Sequence, residues 1–348
     1  MRALSAPDSV SLAVERTREF LFNPFAWGTY LKLGLVAIIT EGVGGNLSSS
    51  SHGSSSSGNG HTMESPFHLQ PELIAAIVAA VLLAIVISIF VFYLITRLRF
   101  AYFHCLVYKT KEIGPGWRRY RAQALRFFWL NVVVGICFGA VLVLIAIPFA
   151  AGFWRVYRES QLNGQLDWGL LVSLVLPLIP IFILLALAGI LTDVILRDWM
   201  LPHYALGNAS AGEAWSEVWA RISAEKRQFL VYALLRVILP TIAMIALFMV
   251  LIIPGLMVAG ALGAIEYAIH STFADAAGAG AVAGILLEVF FGVVAFVLAL
   301  LAGICLGGPV STWIREYALI FYGGRYQKLG DILYPPQAPP ALGAPGIV

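Results

Sequence analysis

Five long apolar runs, separated by shorter polar stretches, set the pattern of this chain: Pro71 to Thr96, Phe128 to Ala151, Trp168 to Leu196, Phe229 to Ile253 and Gly280 to Leu306. Each exceeds the roughly 20 residues that cross about 30 Å of hydrocarbon as a helix. A sixth run, Phe25 to Val43, is shorter and carries Lys32 near one end and Glu41 near the other. None alternates in the manner of barrel strands, and backbone groups in lipid must be paired within their own segment. The pattern therefore predicts an all-α polytopic membrane protein with about six transmembrane helices. Leu256 to Ile269 is apolar but too short to span, which fits a re-entrant or interfacial helix.

The polar stretches hold amphipathic helices. The first begins near Asp8 or Ser9 and shows one face of Val10, Val14, Thr17 and Leu21. The second places Trp117, Tyr120, Ala124 and Phe127 together, with Arg118, Arg119 and Arg121 beside them. The third opens with a capping box from Ser210 to Glu213 and carries the stripe Trp215, Val218, Trp219, Ile222. Gly44 to Thr62 is a Gly/Ser tract with no Lys or Arg, expected to be a disordered outer loop, and the Pro-rich tail 330–348 is expected to be disordered as well.

These elements divide the chain into an amphipathic cytoplasmic helix (1–24), a first helix pair (25–96, with the loop 44–62), a basic segment with a second pair (97–196), a cytoplasmic segment with a third pair (197–329), and the tail. The pairs resemble one another. Arg197-Asp198-Trp199 matches Arg315-Glu316-Tyr317 after the return spans, and Arg97 to Phe100 holds the first equivalent place. Three two-helix copies entering the membrane in the same sense predict a parallel internal repeat.

Charge fixes the orientation. Of 348 residues 60% are hydrophobic and only 12% charged, with a mean hydropathy of +0.86. Of the 22 Lys and Arg, eighteen fall in the segments taken as inner and two, Arg155 and Arg158, outside; Lys32 and Arg236 lie within spans. That bias places both termini on the cytoplasmic side of the cell membrane. The net charge of +3 gives no reason to expect a nucleic-acid partner. Cys105, Cys137 and Cys305 are too far apart for a disulfide framework or a CxxC site, and His52, His61 and His68 are too widely spaced in a polar tract for a metal site. His104 and His203 read as interfacial side chains.

The stretches LFNPFAWGTYLKLGLVAI, LPHYALGNASAGEAWSEVWARI and IIPGLMVAG resemble a group of prokaryotic multi-pass membrane proteins that includes the membrane domain of some glycerophosphoryl diester phosphodiesterases. The resemblance implies a helical membrane domain. It does not carry the phosphodiesterase activity, which belongs to a soluble domain whose sequence is not seen here.

Ionisable residues inside spans are candidate functional sites. Lys32, Asp193 and Arg236 fall in the inner third, where Asp193 is expected to pair with Arg236, Arg197 being a local competitor. Glu41 and Glu288 fall in the outer third, either sharing one cavity or facing apart. Trp117, Arg118, Arg119, Arg121, Trp215 and Trp219 are candidates for membrane-lipid headgroups, anionic ones above all, and protein partners within the membrane are a second expectation. No nucleophile elbow, P-loop or HExxH motif occurs, so no catalytic residue, metal or cofactor is assigned. The leading reading is a lipid-interacting scaffold or assembly subunit without catalysis, the alternative a transporter or channel, and an intramembrane enzyme the third.

Overall fold

The computed structural model describes residues 4–42, 71–163, 168–273 and 278–334, and every regular element among them is helical. The Gly/Ser tract 44–62, His52, His61, His68 and the tail beyond Tyr334 lie outside the described residues. Five stretches are long and apolar enough to cross a membrane: Ala75–Tyr108, Arg121–Gln161, Trp168–Gly207, Lys226–Phe273 and Gly280–Gly323. They correspond to the five long runs of the sequence. Residues 25–43 are not among them.

In chain order the helices are α1 (Asp8–Phe22), α2 (Trp27–Ala37, continued by wide π turns over Ile38–Gly42), α3 (Pro71–Tyr108), α4 (Ile113–Arg119), α5 (Arg121–Asn163), α6 (Trp168–Val175), α7 (Leu178–Val194), π turns over Ile195–Met200, α8 (Leu201–Gly207), α9 (Ala211–Ala224), α10 (Lys226–Phe273), α11 (Ala279–Gly323) and α12 (Gln327–Leu333). Prolines act according to their spacing. The helix breaks at Leu176 and Pro177, and Pro180 then falls in the first turn of α7, where backbone N–H groups have no helical partner anyway. Pro240 and Pro254 lie inside an unbroken α10 of 48 residues. A lone proline removes one hydrogen bond, whereas ending the helix in hydrocarbon would expose several. The separate helix expected over Leu256 to Ile269 is thus the continuation of α10.

The chain forms two compact units, which do not follow the three consecutive helix pairs. The first comprises Met1–Gly44, His104–Glu112 and Ala224–Val348, with α11 as its spine. Helix α10 runs antiparallel to α11 through ring contacts: Phe229 meets Phe321 edge-to-face (5.4 Å), and Tyr232 stacks on Phe321 (4.4 Å) and Tyr317 (4.9 Å). Helix α2 runs parallel to it. The Tyr30 hydroxyl donates to the Cys305 carbonyl (2.6 Å), a Cβ on Gly308 would meet the Gly34 Cα at 2.7 Å, and Glu41 reaches Arg315.

An outward first span would run antiparallel to a returning last span, so the expectation for 25–43 does not hold. The 16 residues of Trp27–Gly42 rise only about 24 Å as helix, short of the hydrocarbon thickness. Helix α1 also departs from expectation. It buries Ser9, Ala13, Thr17, Phe20 and Leu21 while Val14 is half exposed, because its face is chosen by packing on α11 and not by the most apolar stripe.

The second unit comprises Gly45–Phe103 and Ile113–Ser223. Phe100 packs on Tyr120 (6.0 Å) and Phe127 (5.6 Å), and Phe127 on Tyr204 (5.3 Å). Helices α5 and α6 cross where a Cβ on Gly152 would collide with Leu174. Burial in both units avoids the apolar middle of the spans. It concentrates at their ends, over Phe100–Val107, Leu196–Ala205 and Tyr317–Gly323. Lipid solvates Leu, Ile and Val as well as a protein core does, so nothing drives those side chains out of it. Aromatic and charged side chains at the helix ends have to find protein partners.

Candidate functional site

In the first unit the end of α11 gathers the buried charges. Glu316 is fully buried and meets the Arg16 guanidinium from α1 at 2.8 Å. Among the described residues neither Glu316 oxygen accepts an aligned hydrogen bond, so this ion pair is the main offset to the cost of burying the carboxylate. Arg16 is held in place by a second contact, donating to the Leu106 carbonyl at 2.8 Å. One residue back, Arg315 lies 3.8 Å from Glu41, and the same carboxylate takes a hydrogen bond from Arg236 at 3.1 Å. Three arginines therefore face two carboxylates over α1, α2, α10 and α11.

At the helix end Arg325 donates to Glu225 (2.7 and 3.0 Å) and to the Leu4 and Phe321 carbonyls (3.1 and 2.9 Å). Burial pushes the Tyr334 phenol above its ordinary value. Toward the membrane surface, Lys109 meets Glu19 at 2.6 Å and holds its carboxyl below the usual range.

In the second unit Asp193 pairs with Arg197 at 2.8 Å, one turn away on the same face. Arg197 and Asp198 are themselves buried. His203, also buried, lies 3.2 Å from Glu217, which takes a second contact from Arg221. The capping box forms as the sequence predicts: the Ser210 amide donates to Glu213 (2.8 Å) and the Glu213 amide to the Ser210 hydroxyl (3.4 Å). Those bonds hold the Glu213 carboxyl below the usual range.

The candidate residues separate into paired and surface groups. The expected Asp193–Arg236 pair gives way to two others, Asp193 with Arg197 and Arg236 with Glu41, since a partner at i+4 is nearer than one on another helix. Glu41 and Glu288 share no site: Glu41 is bound to the arginines and Glu288 to His270 at 3.0 Å. Glu41 also leaves the outer third, because α2 runs toward the same end as α11. Lys32 is exposed.

Arg97 stacks on Trp117 at 4.3 Å and donates to its carbonyl, while Arg118, Arg119 and Arg121 are exposed beside it. Trp215 and Trp219 are exposed and stacked on each other at 5.9 Å. Among the described residues no group of three His, Cys, Asp or Glu stands close enough to hold a metal ion.

Arg16 and Glu316 are what the sequence reading passed over. The signal is a carboxylate beyond the last apolar run, in the return motif Arg315-Glu316-Tyr317, with an arginine before it and an aromatic after it. Such a carboxylate is buried only with a cation, and Arg16 lies on the polar side of α1, where periodicity alone gives it no partner.

Helices of this length and hydropathy, with aromatic and ionic cores at their ends, define a polytopic all-α membrane protein. The chain belongs to the DUF7544 family, a family of unknown function, whose model matches residues 4–332. No curated relative and no solved structure matches it.

Proposed function

We propose that the protein is a non-catalytic, lipid-interacting scaffold of the cell membrane, with the basic segments before α5 and α10 on the cytoplasmic side. The observation that carries this reading is how the charged residues are distributed. Glu41, Asp193 and Glu316 each already have an arginine within their own unit; the Glu41 and Glu316 pairs tie different helices together, and none of the three presents a free acid. The surface offered to the membrane is of the opposite kind. It consists of exposed apolar spans flanked by Trp117, Trp215 and Trp219 and by unburied Arg118, Arg119 and Arg121. Aromatic rings settle at the headgroup level, and each Lys or Arg near an anionic surface adds roughly 1 kcal/mol of attraction.

The parallel-repeat reading is part of the proposal. Arg197-Asp198-Trp199 and Arg315-Glu316-Tyr317 are buried alike at the ends of their helices. Lys109 and Asn208, each five residues after a buried histidine, both take the left-handed conformation that ends a helix. A transport pathway is the alternative, and it would need the paired carboxylates to exchange partners during a cycle.

Replacing Arg118, Arg119 and Arg121 together by Gln tests the leading reading. Co-purification of anionic lipid is expected to fall severalfold. Unchanged retention would sink it.

A further inference from the structure

The hairpin of the second unit contains a cleft that its packing does not require. Helices α5 and α6 touch at Gly152 and Leu174, and directly afterwards the helix is interrupted at Leu176 and Pro177 before it resumes as α7. Below the crossing the helices part around a cleft of about 420 Å³. It is lined by apolar side chains alone, among them Ile145, Phe149 and Phe153 on α5 and Leu178, Phe182 and Leu185 on α7.

From Leu142 to Phe153 the lining extends about 16 Å along the helix, close to the depth of one leaflet of hydrocarbon roughly 30 Å thick. The volume is that of a small-ligand site. Past the crossing, in the next turn of α5, the chemistry changes abruptly. Trp154 and Tyr157 pair at 5.9 Å in the manner of an interfacial aromatic belt, and Arg155 and Arg158 are exposed beside them. Glu159 is adjacent, so the local excess is a single positive charge.

We propose that this cleft is a binding site for one outer-leaflet glycerolipid with an anionic headgroup. One hydrocarbon chain fills the space between α5 and α7, and the headgroup phosphate lies against Arg155 and Arg158. The proposal deepens the lipid-interacting reading and names a site on the face opposite the basic helices. A half-open groove a leaflet deep and lined by apolar side chains alone is matched by a lipid chain in length, polarity and surroundings.

The full-length protein, reconstituted with defined mixtures of phosphatidylglycerol and phosphatidylcholine and released into detergent, reports retained lipid by native mass spectrometry. The wild type is expected to keep one phosphatidylglycerol per chain. Ala146→Trp, which fills the cleft, is expected to lower that retention at least fivefold. Arg155→Gln with Arg158→Gln is expected to cut the preference for phosphatidylglycerol about tenfold while a neutral lipid still enters.

Phosphatidylglycerol bearing a photoreactive group on its chain gives a second reading that needs no variant, with labelling of the wild type concentrated in 142–153 and 178–185. Equal retention by wild type and Ala146→Trp, or labels spread evenly over all the spans, would overturn the site. The inner triple substitution of Arg118, Arg119 and Arg121 separates the two ideas. Lipid lost there but kept at the cleft supports the site without the basic helices, and the reverse leaves the basic helices without the site.

Discussion

Arg16 and Glu316, three hundred positions apart in sequence, meet at 2.8 Å and tie the amino-terminal helix to the end of the last apolar helix. The carboxylate is wholly buried, so its charge is tolerable only beside the guanidinium. Arg16→Gln should therefore destabilise the fold by about 3–5 kcal/mol, the cost of leaving a buried charge without its partner. Combining Arg16→Met with Glu316→Leu removes both charges and should recover most of that loss. Denaturant unfolding in detergent measures all the variants, and strictly additive losses would show that the two side chains act independently.

A second comparison sets Glu41 against Asp193. Glu41 is buried between Arg236 and Arg315, so Glu41→Gln should cost about 3 kcal/mol, again by stranding buried cations. The Asp193 side chain is 41% exposed in its pair with Arg197, and water screens what it contributes. Asp193→Asn should stay below about 1 kcal/mol. If the two substitutions proved equally harmful, the ranking by burial would be wrong.

The packing of α2 on α11 rests on two glycines. A Cβ on Gly308 would stand 2.7 Å from the Gly34 Cα, backbone that has no room to move, while Gly135 and Gly139 in α5 have nothing within 4 Å. Gly308→Ala should then destabilise by about 1–3 kcal/mol through overpacking. Gly139→Ala should be neutral or slightly stabilising, since alanine is the better helix former. A melting temperature unchanged by Gly308→Ala would mean that α2 can ride further from α11 at little cost.

How much of this was legible in the sequence depends on how local each determinant is. The five long helices follow from composition over 24 or more residues, and the capping box from two residues three apart, so both could be read directly. The site depended on distant pairing. Position along the spans matches Asp193 with Arg236, since both sit near the same end, yet the geometry within one helix already gives it Arg197. The direction of α2 was out of reach for the same reason. A 19-residue apolar run looks like a span from its length, and only the Gly34–Gly308 approach reveals which way it lies. Trp215 and Val218 share a helical stripe, but only Val218 is buried, since periodicity does not say whether a face meets protein or lipid.

Orientation in the bilayer is set by the polar ends of the helices and can be checked without any assumption about function. Arg118, Arg119, Arg121 and Arg126 crowd the start of α5, and the segment Ala211–Ala224 is followed by Lys226 and Arg227. By contrast Gly278, between α10 and α11, has no Lys or Arg nearby. Retention of positive charge on the cytoplasmic side then places Gly114 and Gly212 inside and Gly278 outside. In a version with Cys105, Cys137 and Cys305 replaced by Ala or Ser, a single cysteine at Gly278 should react with a membrane-impermeant maleimide on intact cells. Cysteines at Gly114 or Gly212 should react only after lysis. Because Gly114 lies in the most basic of the loops, its labelling from outside would invert the whole arrangement, and with it the leaflet assigned to the cleft between α5 and α7.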